Sequence, residues 1–155
     1  MTIRFAQSPD IPGILNLLTQ VEKVHNTIRP DLFRDAGEKY DAQALTRLFA
    51  DPSRPILVAL EGNLVVGYAF CILQTLDGDP ILLDRKELYL DDLCVDADFR
   101  GHGVSKALWQ RVRELAKALG CSAVTLNVWE GNDRARAFYD HCGLKVRKTV
   151  MEYPL

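Results

Sequence analysis

Residues Asp98–Trp109 read DFRGHGVSKALW. An arginine, two glycines and a serine (Arg100, Gly101, Gly103, Ser105) fall within six residues, directly ahead of a helical pattern. Glycine costs backbone entropy in an ordered segment, so a pair of them marks either a turn of unusual dihedrals or a backbone that something approaches closely. On the near side, KELYLDDLCVD (Lys86–Asp96) reads as a strand. On the far side, Val104, Ala107, Leu108, Val112, Leu115 and Leu119 form an apolar stripe that stops at Gly120. SAVTLNVW (Ser122–Trp129) is strand-like again. Strand, glycine turn, helix and strand make a crossover unit whose two strands run parallel.

A helix start leaves backbone N–H groups unpaired and carries partial positive charge. Gly101 and Gly103 let those groups curl around an anion, and Arg100, His102 and Lys106 add side-chain donors. The stretch reads as a phosphate or pyrophosphate cradle, or as a tight strand–helix turn that needs glycine and binds nothing. No Gly-Lys-Ser/Thr follows, so it is not a Walker loop. The next strand ends in Asn127-Val128-Trp129, without the acid that a dinucleotide fold places on the ribose.

Working outward, TIRFAQ alternates as a short strand, and SPD (Ser8–Asp10) offers caps to a helix carrying Ile11, Ile14, Leu15, Leu18 and Val21. His25–Tyr40 is polar and irregular, broken by Pro30 and Gly37. Asp41 caps a second helix whose buried side is Leu45, Leu48 and Phe49. PILVALEGNLVVGYAFCIL (Pro55–Leu73) is a hairpin turning at Gly62-Asn63. Asp77-Gly78-Asp79-Pro80 marks the loop that follows. NDRARAFYDHCG (Asn132–Gly143) is a helix, and LKVRKTVMEY (Leu144–Tyr153) a last extended run. The order β-α-α-β-β-β-α-β-α-β predicts a single α/β domain over residues 1–155. Its mixed sheet is mostly antiparallel with one parallel pair, and helices cover both faces.

The chain's 155 residues suffice for one well-filled core. A net charge of −2 points away from a nucleic-acid binder. Cys71, Cys94, Cys121 and Cys142 form no CxxC pair and read as small buried hydrophobes in a reducing compartment. The Met1 end has no long apolar stretch, and no run approaches the length of a membrane span, so a cytoplasmic location is expected. His25, His102 and His141 lack metal-site spacing, so no metal is expected.

Two segments taken together, YLDDLCVDADFRGHGVSKALW (Tyr89–Trp109) and LNVWEGNDRARAFYDHCGLK (Leu126–Lys145), resemble the GNAT superfamily of acetyl-CoA-dependent N-acetyltransferases. The signature Arg/Gln-x-x-Gly-x-Gly/Ala is met by Arg100-Gly101-His102-Gly103-Val104-Ser105, with Ser at the last position. The signature Asn-x-x-Ala-x-x-Phe-Tyr is met by Asn132, Ala135, Phe138 and Tyr139. The resemblance implies a GNAT-like fold in which the strand before the glycine loop splays from its parallel neighbour. It implies pantetheine against Leu93, Cys94 and Val95, pyrophosphate on Arg100 to Ser105, and Asn132, Ala135 and Phe138 facing the cofactor. It makes Tyr139 the general acid for the departing thiolate. Without the surrounding motif Tyr139 reads as a core aromatic with its hydroxyl satisfied elsewhere.

The reaction so implied is direct attack of a primary amine on the acetyl thioester within a ternary complex. It needs a general base, and Asp91 and Asp92 are the candidates. Neighbouring strand residues face opposite ways, so one of the pair reaches the site unless a bulge intervenes. Tyr89, Asn127 and Arg29 are the further candidates for binding the acceptor: a small cationic amine, an amino-acid derivative or a protein amino group. The alternative is a non-catalytic acyl-CoA sensor, which needs the glycine loop and Asn132 but not Asp91 or Tyr139. The last run offers a sheet edge for a homodimer.

Overall fold

A computed structural model describes all 155 residues. Five strands form one sheet: β1 (Thr2–Phe5), β2 (Ile56–Glu61), β3 (Leu64–Leu76), β4 (Arg85–Val95) and β5 (Ala123–Thr125). They lie side by side in chain order. The first three junctions are antiparallel, and β4–β5 is parallel. Four helices complete the fold: α1 (Ile11–Ile28), α2 (Ala42–Phe49), α3 (Val104–Ala118) and α4 (Asp133–His141).

Local signals set most boundaries. The Asp41 carboxylate caps α2 by accepting from the Ala44 N–H at 2.7 Å. Asn132 does the same for α4, accepting from Ala135 N–H at 3.2 Å. The β2–β3 hairpin turns through Gly62-Asn63, with Glu61 opposite Leu64. Arg4 grips the buried Asp10 through two hydrogen bonds, at 2.6 and 2.9 Å, which ties β1 to the start of α1.

The core has two halves, one on each face of the sheet. On one, the α3 stripe of Val104, Leu108, Val112 and Leu115 packs on Leu57, Ala59, Val66, Ala69, Leu88 and Leu90. On the other, Ile14, Leu17 and Leu18 of α1 and Leu45 of α2 cover Val58, Tyr68, Phe70 and Cys94. Phe138, Tyr139 and Cys142 of α4 join the α3 side.

The sequence-based expectations need three corrections. Leu144–Tyr153 forms no strand: it leaves α4 as an arm without regular pairing. Its β-rich composition suits a strand, but no neighbouring strand lies against it in this chain. The strand expected over Ser122–Trp129 is shorter, Ala123–Thr125 alone. Of the cysteines, Cys71 and Cys94 are buried, while Cys121 and Cys142 are only partly covered.

Candidate active site

Two irregularities in β4 build the site. The first is where its pairing stops. β4 is matched to β3 as far as Gly67–Val95, but to β5 only at Glu87–Ala123, Leu88–Val124 and Tyr89–Thr125. From Leu90 to Val95 the β5 side of β4 has no strand partner. That leaves main-chain donors and acceptors for an extended, amide-bearing ligand to join by strand addition.

The second irregularity is a bulge. Phe70 lies opposite Asp92 but Cys71 lies opposite Leu90, so Asp91 is an extra residue without a partner on β3. An inserted residue breaks the alternation of faces. Both adjacent carboxylates therefore act on one cation. Lys39 Nζ is 2.9 Å from Asp91 Oδ2, and the Asp92 charge also bears on it. Asp92 accepts a 2.9 Å hydrogen bond from the Tyr68 hydroxyl. Burial pushes the Asp92 carboxyl above its ordinary range, against the opposing pull of Lys39 and the Tyr68 bond. Burial alone would lower the Lys39 ammonium, but the charges of Asp92 and Asp91 outweigh it and hold it above an ordinary lysine. Burial also holds the nearby His25 below the usual imidazole value.

Beyond the open edge lies the glycine loop. Gly101 and Gly103 both sit at φ 81°, the left-handed region. A Cβ at either would meet nothing within 4 Å, so backbone dihedral and not space demands glycine. Ala107 N–H bonds to the Gly103 carbonyl at 3.0 Å, so the N–H groups of Val104, Ser105 and Lys106 have no intrahelical acceptor. Arg100 Nε reaches back to the Val95 carbonyl at 3.3 Å and pins the loop to the end of β4. His102 Nδ1 lies 3.0 Å from the Arg100 carbonyl oxygen. Val104 and Cys94 are buried, which leaves them only main-chain atoms to offer. Leu93 and Val95 pack their side chains on the α3 side.

Tyr139 of α4 packs edge-on against Trp109, with ring centroids 6.3 Å apart, and against Phe138. Burial, then the Asp92 charge, raises its phenol well above the ordinary value, so it stays protonated at neutral pH. Asn132, Ala135, Phe138 and Cys142 lie partly buried on the same helical side. Tyr89 and Asn127 also come together, with Asn127 Nδ2 donating to the Tyr89 hydroxyl at 3.1 Å. Arg29 is drawn elsewhere, to Asp31 at 2.6 Å and Glu152 at 2.7 Å.

Several residues here escape a reading of the sequence. Lys39 and His25 belong to a polar loop and a helix end, and their proximity to Asp92 is set by the fold alone. Tyr68 sits in an apolar strand and shows no functional signal. Phe33 bridges His25 and Trp129, with centroids 4.9 and 5.2 Å away, and so closes the region between α1 and the chain after β5. No group of three or more His, Cys, Asp and Glu side chains is gathered in metal-binding fashion. No helix is long and apolar enough to cross a membrane.

Comparison with known proteins agrees with this geometry. The model of the Acetyltransferase (GNAT) family matches residues 19–144, and the chain belongs to that family. It is 30% identical to the thialysine N-epsilon-acetyltransferase of Sus scrofa, over 92% of this chain and 83% of that protein. It is 34% identical over 64% of its length to an N-acetyltransferase of Mycobacterium bovis, and it spans only 58% of that relative. Among solved structures, a mutant of the BH1408 protein from Bacillus halodurans superposes with a TM-score of 0.95 at 31% identity, covering 100% of this chain and 99% of that one. An aminoglycoside N-acetyltransferase in complex with CoA shares the fold at 16% identity, with a TM-score of 0.74 and coverage of 99% and 98%.

Proposed function

We propose that the chain transfers an acetyl group from acetyl-CoA to a primary amine by direct attack in a ternary complex. One observation carries this reading: the unpaired edge of β4 runs from the paired acids at Asp91 and Asp92 to the glycine loop at Arg100–Ser105. CoA supplies the acetyl thioester. Leu93, Cys94 and Val95 offer main-chain groups to its arm, and the N–H groups of Gly101 to Ser105 with Arg100 hold its phosphates. Asn132 and the flanking face of α4, with Ala135 and Phe138, close the other side.

The chain's own groups handle the protons. The Asp91–Asp92 pair takes the proton from the acceptor ammonium, directly or through water. Tyr139 keeps its proton at neutral pH and donates it to the departing sulfur. Main-chain N–H groups of the open edge polarise the carbonyl under attack.

The acceptor is a small molecule or protein that presents a primary amine. Net negative charge from Asp91 and Asp92 favours a cation, and Tyr89 and Asn127 form the adjoining wall. The name of the Sus scrofa relative specifies a side-chain nitrogen of an amino-acid derivative, which supports an acceptor of that class here. Acceptor binding through Arg29 requires Asp31 or Glu152 to release it. The four free thiols suit a reducing, cytoplasmic setting.

Thiol release from acetyl-CoA across a panel of amines and lysine peptides, with CoA binding followed by calorimetry, tests the reading. CoA binding with turnover on one amine class is expected. Tyr139→Phe should slow turnover about a hundredfold or more while leaving CoA affinity nearly unchanged. Failure to bind CoA, or binding without turnover on any acceptor, overturns the enzyme reading.

The arm after α4 supports a homodimer. Residues 145–155 make no main-chain hydrogen bond to the rest of the backbone. Val150, Met151 and Tyr153 are 86%, 90% and 86% exposed. Ion pairs hold the arm in place at both ends, Arg147 to Glu87 and Glu152 to Arg29. The Arg85 side chain links the same Glu87 to the Leu83 carbonyl, beside the exposed Ile81 and Leu83. An unpaired arm and the open outer edge of β5 complement one another across a two-fold axis. Light scattering should give twice the 17.4 kDa chain mass, and a monomer at micromolar concentration overturns the assignment.

A further inference from the structure

Lys39 is exposed, with 35% of its side chain accessible, yet both its backbone and its ammonium are held in place. Its backbone N–H donates to Glu22 Oε1 on α1 at 2.8 Å, which fastens the loop before α2 to the helix. The next residue, Tyr40, stacks on Phe70 of β3, with centroids 5.6 Å apart and planes 12° from parallel. The backbone is therefore held on both sides of the lysine. The side chain runs past the Tyr40 ring, with Nζ 5.7 Å from its centroid, and ends on Asp91. Its titratable and charged neighbours are Tyr89, Asp91 and Asp92 of β4, Tyr40 of its own loop, and Glu22 and His25 of α1.

The cation at the mouth of the open β4 edge is thus the chain's own primary ammonium. It occupies the carboxylate pair that the proposed reaction reserves for the acceptor's ammonium. We propose that Lys39 is an internal acetyl acceptor: the chain acetylates it in cis from the bound acetyl thioester. This inference rests on the functional reading above.

The step balances without a further reactant. The Asp91–Asp92 pair takes one proton from the Lys39 ammonium. The freed Nζ lone pair forms an N–C bond to the acetyl carbonyl carbon. The C–S bond breaks, its electron pair leaves on sulfur, and Tyr139 supplies the proton that makes the free thiol. The second Nζ proton and the proton held by the acid pair are lost to solvent, and Tyr139 is reprotonated from solvent. The product is a neutral amide that can no longer pair with Asp91. Acetylated chains then present two carboxylates without their internal counter-ion, which favours external acceptors that are cationic.

Two measurements on the full chain test this. The protein is incubated with acetyl-CoA and no added amine, and acetylation of each lysine is followed by peptide mass spectrometry at several protein concentrations. CoA binding is measured by calorimetry on the wild type and on Lys39→Arg. The expected result is acetyl on Lys39 at a rate at least about tenfold above Lys23, Lys86, Lys106, Lys117, Lys145 or Lys148. The rate should be independent of protein concentration, and Lys39→Arg should bind CoA like the wild type. Labelling of Lys39 no faster than the other lysines with CoA demonstrably bound overturns the inference, whether or not an external amine turns over. A rate proportional to protein concentration also overturns it, because transfer is then between chains. Absence of CoA binding is a separate result, and it removes the functional reading together with this one.

Discussion

The Tyr68 hydroxyl, on β3, donates a 2.9 Å hydrogen bond to Asp92 Oδ2 on the neighbouring strand. The bond steadies the ionised form of a carboxyl that burial otherwise drives toward protonation. Tyr68→Phe removes that support, so the Asp92 pKa should rise further. A base must be deprotonated to act, so the acid limb of the kcat/KM profile should move to higher pH. The stability cost should be about 1 kcal/mol. A pH–rate profile of the variant checks this, and an unmoved acid limb would show that Asp92 does not titrate in the reaction.

The bulge gives the two acids different surroundings, and under the proposed function different tasks are expected of them. Asp91 meets the cation directly, while Asp92 lies behind it with Tyr68. Asp91→Asn should chiefly raise KM for the amine. Asp92→Asn should chiefly lower kcat, by about a hundredfold or more. Steady-state kinetics of the two variants on one acceptor separates these effects.

Gly103→Ala forces a side chain onto a residue at φ 81°. Nothing clashes within 4 Å, so the cost is dihedral, about 1–2 kcal/mol of stability. Any relaxation turns the loop N–H groups away from their common focus, and CoA affinity should fall about tenfold or more. Thermal melting and calorimetry read the two effects independently.

Arg147 and Arg85 both bond to the buried Glu87, at 2.8 Å. The Arg147 bond is the chief cause that brings the Glu87 carboxyl from 4.5 down to about 2. A depressed carboxyl stabilises the fold above its unfolded pKa and loses that contribution as pH falls through the folded one. Stability should therefore decline by roughly 2 kcal/mol between about pH 4.5 and pH 2 through this group. In Arg147→Ala the folded pKa lies closer to the unfolded one, so the decline should be smaller and should end at a higher pH. Urea unfolding at a series of pH values tests both statements.

Features written in a few adjacent residues were legible in the sequence. Asp41 and Asn132 announce helix starts because a short oxygen-bearing side chain is what an N-cap needs. Gly101 and Gly103 announce the loop because only glycine tolerates that dihedral. The bulge at Asp91 was illegible, since it exists only as a register between β4 and β3. Lys39 was missed for a similar reason: it lies 52 residues from Asp91 along the chain and reaches it through a loop tied down by Glu22. Leu144–Tyr153 shows the opposite failure. Its composition suits a strand, but a strand requires a neighbour, and this chain gives it none.

The three-rung pairing of β5 has a thermodynamic consequence. Where β4 runs on alone, its outward amides are protected from solvent exchange only when another extended group lies against them. A ligand that fills this gap adds to the hydrogen-bonded ladder, so its binding free energy is also folding free energy. The substrate-loaded protein is then a wider sheet than the free one. The slowest-exchanging amides of β4 should extend from the β5-paired end to Val95 only when the gap is filled.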